Sequence, residues 1–147
     1  MDLFDLTGKQ ALVTGGAQGL GRMMAEGLLK AGAAVTITSR KADAAEAAAA
    51  EMAALGKVNA LAADLSTPEA ATELAATYKA QVGRLDILVN NAGKTWGAPI
   101  ESFPDKAWPG VMTINVQVPF TLVRELLPLL KASGQAGDPA RIVNIGS

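Results

Sequence analysis

The stretch TGGAQGLG, residues 14–21, carries almost nothing that could hold a ligand away from its backbone. Gly15, Gly19 and Gly21 follow the order G-x-x-x-G-x-G. Main-chain N–H groups at a helix start carry partial positive charge and attract anions, but a phosphate reaches them only where no Cβ intervenes. A loop of this composition between a strand and a helix fits the pyrophosphate of a dinucleotide, with Thr14, Gly15, Gly19, Leu20 and Gly21 as candidate contacts. The plainer reading is a tight turn with close helix–strand packing. A mononucleotide P-loop does not fit, because no Gly-Lys-Ser/Thr follows.

Which dinucleotide depends on the end of the second strand. NAD sites place an acid there, about 20 residues past the glycines, to hold the ribose 2′-hydroxyl. Here TSRK offers Ser39, Arg40 and Lys41 and no carboxylate. A guanidinium grips a 2′-phosphate in a fork, and Ser39 does not repel it. NADP(H) is therefore expected over NAD(H), against the alternative of a solvated Arg-Lys pair. In a parallel sheet, ligands lie beyond the carboxyl ends of the strands. The third strand ends at Asp64 and Leu65, placed for an adenine edge and face, although Asp64 could equally cap the turn before the next helix. The fourth ends in NNAG, where Asn91, Ala92 and Gly93 leave room for a sugar and supply donors and acceptors. Turn chemistry alone would also account for Asn-Ala-Gly.

The elements that must position these residues are legible. QALVTG, AAVTITSR, VNALAADL, LDILVN and ARIVNIG read as strands, most of them apolar on both faces. Between them, LGRMMAEGLLKAG has Leu20, Met23, Met24, Gly27, Leu28 and Ala31 at helical spacing, with Gly32 as a stop. An alanine-rich helix closes at Gly56. The next starts with Thr67 as N-cap and Pro68 at its first position. After a loop from Asn91 to about Trp108, a long helix is expected near Pro109 to Ala132. Strict alternation predicts an α/β fold, a doubly wound parallel sheet in the order 3-2-1-4-5, in one domain spanning residues 1–147.

Composition narrows the partners. Of the 147 residues 50% are hydrophobic and the net charge is −1, which favours neither nucleic acid nor a membrane surface. Absence of cysteine and histidine removes thiol nucleophiles, Zn-finger ligands and any Ser-His-Asp triad. The start MDLFDLTGKQ does not read as a signal peptide, and no apolar run approaches bilayer length. The cytoplasm is the expected compartment.

Together TGGAQGLG, NNAG, Asn115 in TINVQVPF and the closing RIVNIGS resemble the short-chain dehydrogenase/reductase family over the whole chain. LDILVNNAG, WGAPIES, LLPLL and RIVNIGS look most like its 3-oxoacyl reductases of the rhamnolipid-pathway type, while sugar-acid and steroid dehydrogenases share much of the same text. The resemblance implies pyrophosphate binding at Gly15–Gly21, adenine at Asp64 and Leu65, and ribose along Asn91–Gly93. It further implies a proton relay supported by Asn115, a substrate carbonyl hydrogen-bonded by Ser147, and a homo-oligomer, dimer or tetramer, acting on a small carbonyl or alcohol substrate. Pro119 lacks an N–H, so the carbonyl of Asn115, four residues earlier, loses its helical partner and is expected to be open to a water.

The family's acid–base pair, Tyr-x-x-x-Lys, is missing from these residues. The one tyrosine, Tyr78, is followed by Lys79, Ala80, Gln81 and Val82 and sits in the third helix. A phenol with its pKa lowered by lysine is what protonates the developing alkoxide. The sequence, ending at a strand that would be left as an unprotected edge, is expected to be the N-terminal part of a longer reductase and inactive alone. A nucleotide-binding fragment or pseudo-enzyme is the alternative.

Overall fold

A computed structural model describes residues 3–146. Five strands, β1 (Gln10–Val13), β2 (Ala34–Ser39), β3 (Val58–Ala62), β4 (Ile87–Asn90) and β5 (Arg141–Asn144), form one sheet in the order β3-β2-β1-β4-β5. Every pairing is parallel: Val13 lies opposite Ile37 in β2 and Val89 in β4, and Asn90 lies opposite Asn144. The five α-helices among the described residues are α1 (Gly19–Lys30), α2 (Ala42–Met52), α3 (Pro68–Gln81), α4 (Ala107–Met112) and α5 (Val118–Ser133).

Alternation along the strands divides the core in two. Ala11, Val13, Val35, Ile37 and Val89 pack with Ala25 and Leu29 of α1 and Ala48 and Met52 of α2. Leu12 and Leu88 point the other way, onto Leu74 and Tyr78 of α3 and Leu122, Leu126 and Leu130 of α5. β1, β2 and β4 are buried on both faces, which explains their continuous apolar sequence. The edge strands differ: all four residues of β5 are exposed.

Two expectations need correction. The buried face of α1 is Gly21, Ala25 and Leu29, whereas Leu20, Met23 and Gly27 are exposed. Small residues at the first two positions let the helix lie close against the sheet, so the larger apolar side chains face outward. The long helix also begins earlier, at Ala107, and is interrupted by a π-helical turn over Thr113–Gln117, in which the N–H of Val118 reaches back to the carbonyl of Thr113. The turn contains Asn115 and ends just before Pro119, whose missing N–H interrupts the regular ladder there. By contrast, Thr67 caps α3 as expected: its Oγ1 accepts the Ala70 N–H at 3.2 Å, and Pro68 follows.

The amino ends of the strands are tied together by Asp86, which is buried. Its carboxylate takes a two-pronged contact from Arg84 at 2.9 Å and accepts the Gln10 N–H at 2.9 Å, with Lys9 at 3.7 Å also reaching Asp138. Burial raises the Asp86 pKa, but hydrogen bonds from Arg84 and Gln10 and the two positive charges outweigh it and hold the group below the ordinary value of 3.8. A depressed carboxylate contributes stability that is complete above its unfolded value and lost as pH falls through the folded one. Asp86→Asn is expected to cost about 1–2 kcal/mol at pH 7, moderated by the half-exposed Arg84, with the gap from wild type closing below about pH 3.8. Urea unfolding at pH 7 and pH 3 checks this; a gap unchanged at pH 3 contradicts it.

Candidate functional site

The order of strands reverses between β1 and β4, so the two loops leaving their carboxyl ends lie side by side. Thr14 joins them. Its Oγ1 accepts the N–H groups of Asn91 and Ala92, both at 3.0 Å, and its own N–H donates to Val89 O at 3.1 Å. The Asn91 amide returns the contact, donating to the carbonyls of Thr14 at 3.0 Å and Gly15 at 3.2 Å. Thr14→Val leaves two N–H groups without an acceptor and is expected to cost roughly 1–3 kcal/mol in urea unfolding, while Thr14→Ser retains most of the stability.

The glycines meet three different demands. Gly15 and Gly19 have φ of +65° and +56°, which a residue with a Cβ adopts at a cost. A Cβ on Gly21 would stand 2.2 Å from the Gly15 carbonyl oxygen and 2.4 Å from Asn91 Nδ2. Gly16, which sequence reasoning passed over, faces Ile37 with no room for a Cβ, at 2.7 Å. The N-cap of α1, Gln18, makes no side-chain cap bond, and the first turn holds no acid. The first N–H groups of this twelve-residue helix are thus left for an anion. Thr38 on β2 was also missed: its Oγ1 accepts the Gly15 N–H at 3.2 Å and its carbonyl the Gly16 N–H at 3.0 Å. The signal was its place one residue before the end of the neighbouring strand.

At the end of β2, Ser39 is half-buried, and Arg40 is exposed and its side chain makes no hydrogen bond or ion pair among the described residues. The sequence places no carboxylate among residues 38–41 at this strand end. Asp64 is exposed beyond β3, and one of its oxygens accepts the Ser66 N–H at 3.2 Å, so the turn-capping role is observed. The side chain of Leu65, at 2% exposure, packs into the core with α3, which leaves its main chain as the part that could face an adenine.

Asn115, on the π-helical turn, comes against the loop after β4. Its Nδ2 donates to the Lys94 carbonyl at 2.7 Å and its Oδ1 accepts the Lys94 N–H at 3.3 Å. A Cβ on Gly93 would come within 2.6 Å of that Oδ1. Asn115 and Pro119 also line a cleft of about 390 Å³ with Asn90, Asn144, Phe120 and Ile145. Here the Asn90 amide donates to Asn144 Oδ1 at 2.8 Å, and the Asn90 carbonyl accepts the Ile145 N–H at 3.0 Å. Ser147 itself lies outside the described residues. Tyr78 is fully buried, and its hydroxyl donates to the Arg84 carbonyl at 2.9 Å. Burial, with the charge of Asp86 added, pushes its phenol well above the ordinary value of 10.0. Arg84 leads into the amino end of β4, so Tyr78 sits at the end of the sheet opposite the glycine loop. Among the described residues no His, Cys, Asp or Glu cluster could hold a metal, and no helix is long and apolar enough to cross a membrane.

A five-stranded parallel sheet in this order, with a glycine loop locked against NNAG, is the architecture of the short chain dehydrogenases. The profile of that family matches residues 9–147, and the chain belongs to it. Among curated relatives, a rhamnolipids biosynthesis 3-oxoacyl-[acyl-carrier-protein] reductase from Pseudomonas aeruginosa is 49% identical over 144 residues, covering 98% of this chain and 56% of the relative. The structure of Pseudomonas aeruginosa RhlG in an NADP active-site complex matches with a TM-score of 0.95 at 49% identity, over 98% of this chain and 56% of that one. L-sorbose reductase from Gluconobacter frateurii, solved with NADPH and L-sorbose, matches with a TM-score of 0.84 at 32% identity, over 91% of this chain and 51% of its own. The chain spans about half the length of the relatives it matches.

Proposed function

We propose that the full-length protein is an NADP(H)-dependent reductase that delivers hydride to a ketone or β-ketoacyl carbonyl. The observation that carries this is the glycine loop: an uncapped helix start at the switch point of the sheet, with glycine imposed at 15, 19 and 21 by backbone angle or by space. Arg40, unpaired at an acid-free strand end, supports the 2′-phosphate, as do the relatives solved with NADP or NADPH. Asp64 would take the adenine edge with its remaining oxygen, and Ser39 would flank the phosphate. Asn91, Ala92 and Gly93 would follow the ribose, and Leu20, exposed at the loop, would border the bound nucleotide.

The cofactor supplies the hydride, so the protein's tasks are orientation and a proton. Asn115 holds the loop at the cleft and Ser147 would hydrogen-bond the substrate carbonyl. The proton donor is assigned to a part of the full-length protein outside these 147 residues, because Tyr78 is buried at the far end of the sheet. The 147 residues alone, on this reading, bind nucleotide without turnover. A 3-oxoacyl thioester fits the relative of highest identity given above, and a sugar or sugar acid is the competing class. A homo-oligomer in the cytoplasm completes the proposal. The test is oxidation of NADPH, followed by absorbance, when the full-length protein meets an acetoacetyl thioester. Consumption supports the reductase, whereas tight binding with no consumption of any ketone supports the module without turnover.

A further inference from the structure

We propose that Lys94 selects carbonyl substrates bearing an anionic oxygen group, a carboxylate or a phosphate. The inference rests on the reductase reading and assigns that same site a substrate class. Lys94 follows directly on the three residues proposed to run along the ribose. Both its main-chain groups are held by the Asn115 amide, so the peptide at this point cannot turn freely. Its side chain lies across Gly110 of α4: a Cβ there would come within 2.4 Å of the ammonium nitrogen and 3.1 Å of Cε. Gly110 lies on α4, just before the π-helical turn that carries Asn115. The ammonium thus lies exposed over α4, while the main chain of Lys94 is bonded to Asn115, which lines the cleft.

Nothing among the described residues answers that charge. Among the described residues the ammonium has no hydrogen-bond acceptor and no carboxylate at ion-pair distance. The acids that follow in the same loop, Glu101 and Asp105, form no ion pair with it. Its chain neighbours Thr95, Trp96 and Gly97 are neutral, and the polar groups of the adjoining cleft are the amides of Asn90, Asn115 and Asn144. An exposed cation whose main chain is held by Asn115, and which has no counter-ion among the described residues, is left to meet a charge on the ligand. An ammonium acts as a point charge rather than a fork, so it selects charge and not the shape of one acid.

The test compares acetoacetate with its neutral ethyl ester, and hydroxyacetone phosphate with hydroxyacetone, using the full-length protein and NADPH. Lys94→Met is expected to lower kcat/KM about tenfold for the anionic member of whichever pair contains the natural class, mainly through KM, and to move the neutral member less than twofold. Lys94→Arg should retain the preference within about threefold. Gly110→Ala is the sharper variant. It adds one methyl to a helix, where alanine is favoured, and displaces only the flexible end of Lys94. It should reproduce the loss for the anion. Salt should weaken the anion's KM in wild type and not in Lys94→Met. If substrates are reduced but both anion preferences are unmoved by Lys94→Met and Gly110→Ala, the role of Lys94 is overturned while the reductase stands. If the acetoacetyl thioester is reduced but none of the four consumes NADPH, the role of Lys94 is overturned while the reductase stands; if the thioester is not reduced either, the reductase reading fails and this inference with it.

Discussion

Gly21→Ala should reduce dinucleotide affinity by at least about a hundredfold and lower stability by roughly 1–3 kcal/mol. The added methyl would meet the Gly15 carbonyl at 2.2 Å and the Asn91 amide at 2.4 Å. Neither neighbour can give way cheaply. The first is backbone in a left-handed turn, and the second is already committed to the carbonyls of Thr14 and Gly15. Relief must come from lifting α1 off the loop, which moves the very N–H groups assigned to the pyrophosphate. Gly27→Ala is the control on the same helix. Nothing lies within 4 Å of its added Cβ, so it should leave affinity intact and stabilise by about 0.5–1 kcal/mol. Calorimetric titration with NADPH and thermal unfolding of both variants measure this. Equal effects at the two positions would show that the loop is ordinary helix packing.

Arg40→Asp should weaken NADPH about a hundredfold and NADH less than threefold. The variant removes a guanidinium that no described residue occupies and puts a carboxylate where NAD sites place theirs. The loss combines a charge-assisted contact with new repulsion of the 2′-phosphate. NADH lacks that phosphate and serves as the internal control for misfolding. Parallel losses for both nucleotides would defeat the assignment of Arg40.

The strand order and the placing of the glycine loop were legible because each strand is an apolar run and each helix start carries a local signal, as at Thr67 and Pro68. The face of α1 was not. Periodicity counts large apolar side chains, but close approach to a sheet selects small ones, so Gly21 and Ala25 lie inside while Leu20 and Met23 lie outside. The burial of the Leu65 side chain was likewise not legible, because it depends on α3 folding back over the end of β3. Within the candidate site, Thr38 and Gly16 escaped notice because their roles depend on β2 lying beside β1, a register that no short stretch of sequence states. Pro119 marked the break in the long helix, but a π-helical turn is a property of the whole ladder and cannot be read from one proline.

The most direct measurement is calorimetry of the full-length protein titrated with NADPH and, separately, NADH. Saturable heat with NADPH, at an affinity well above that for NADH, is the outcome required of bare amides at the first helix start that grip a diphosphate while Arg40 reads the extra phosphate. No heat with either nucleotide, from a sample shown to be folded, would contradict the assignment at its root.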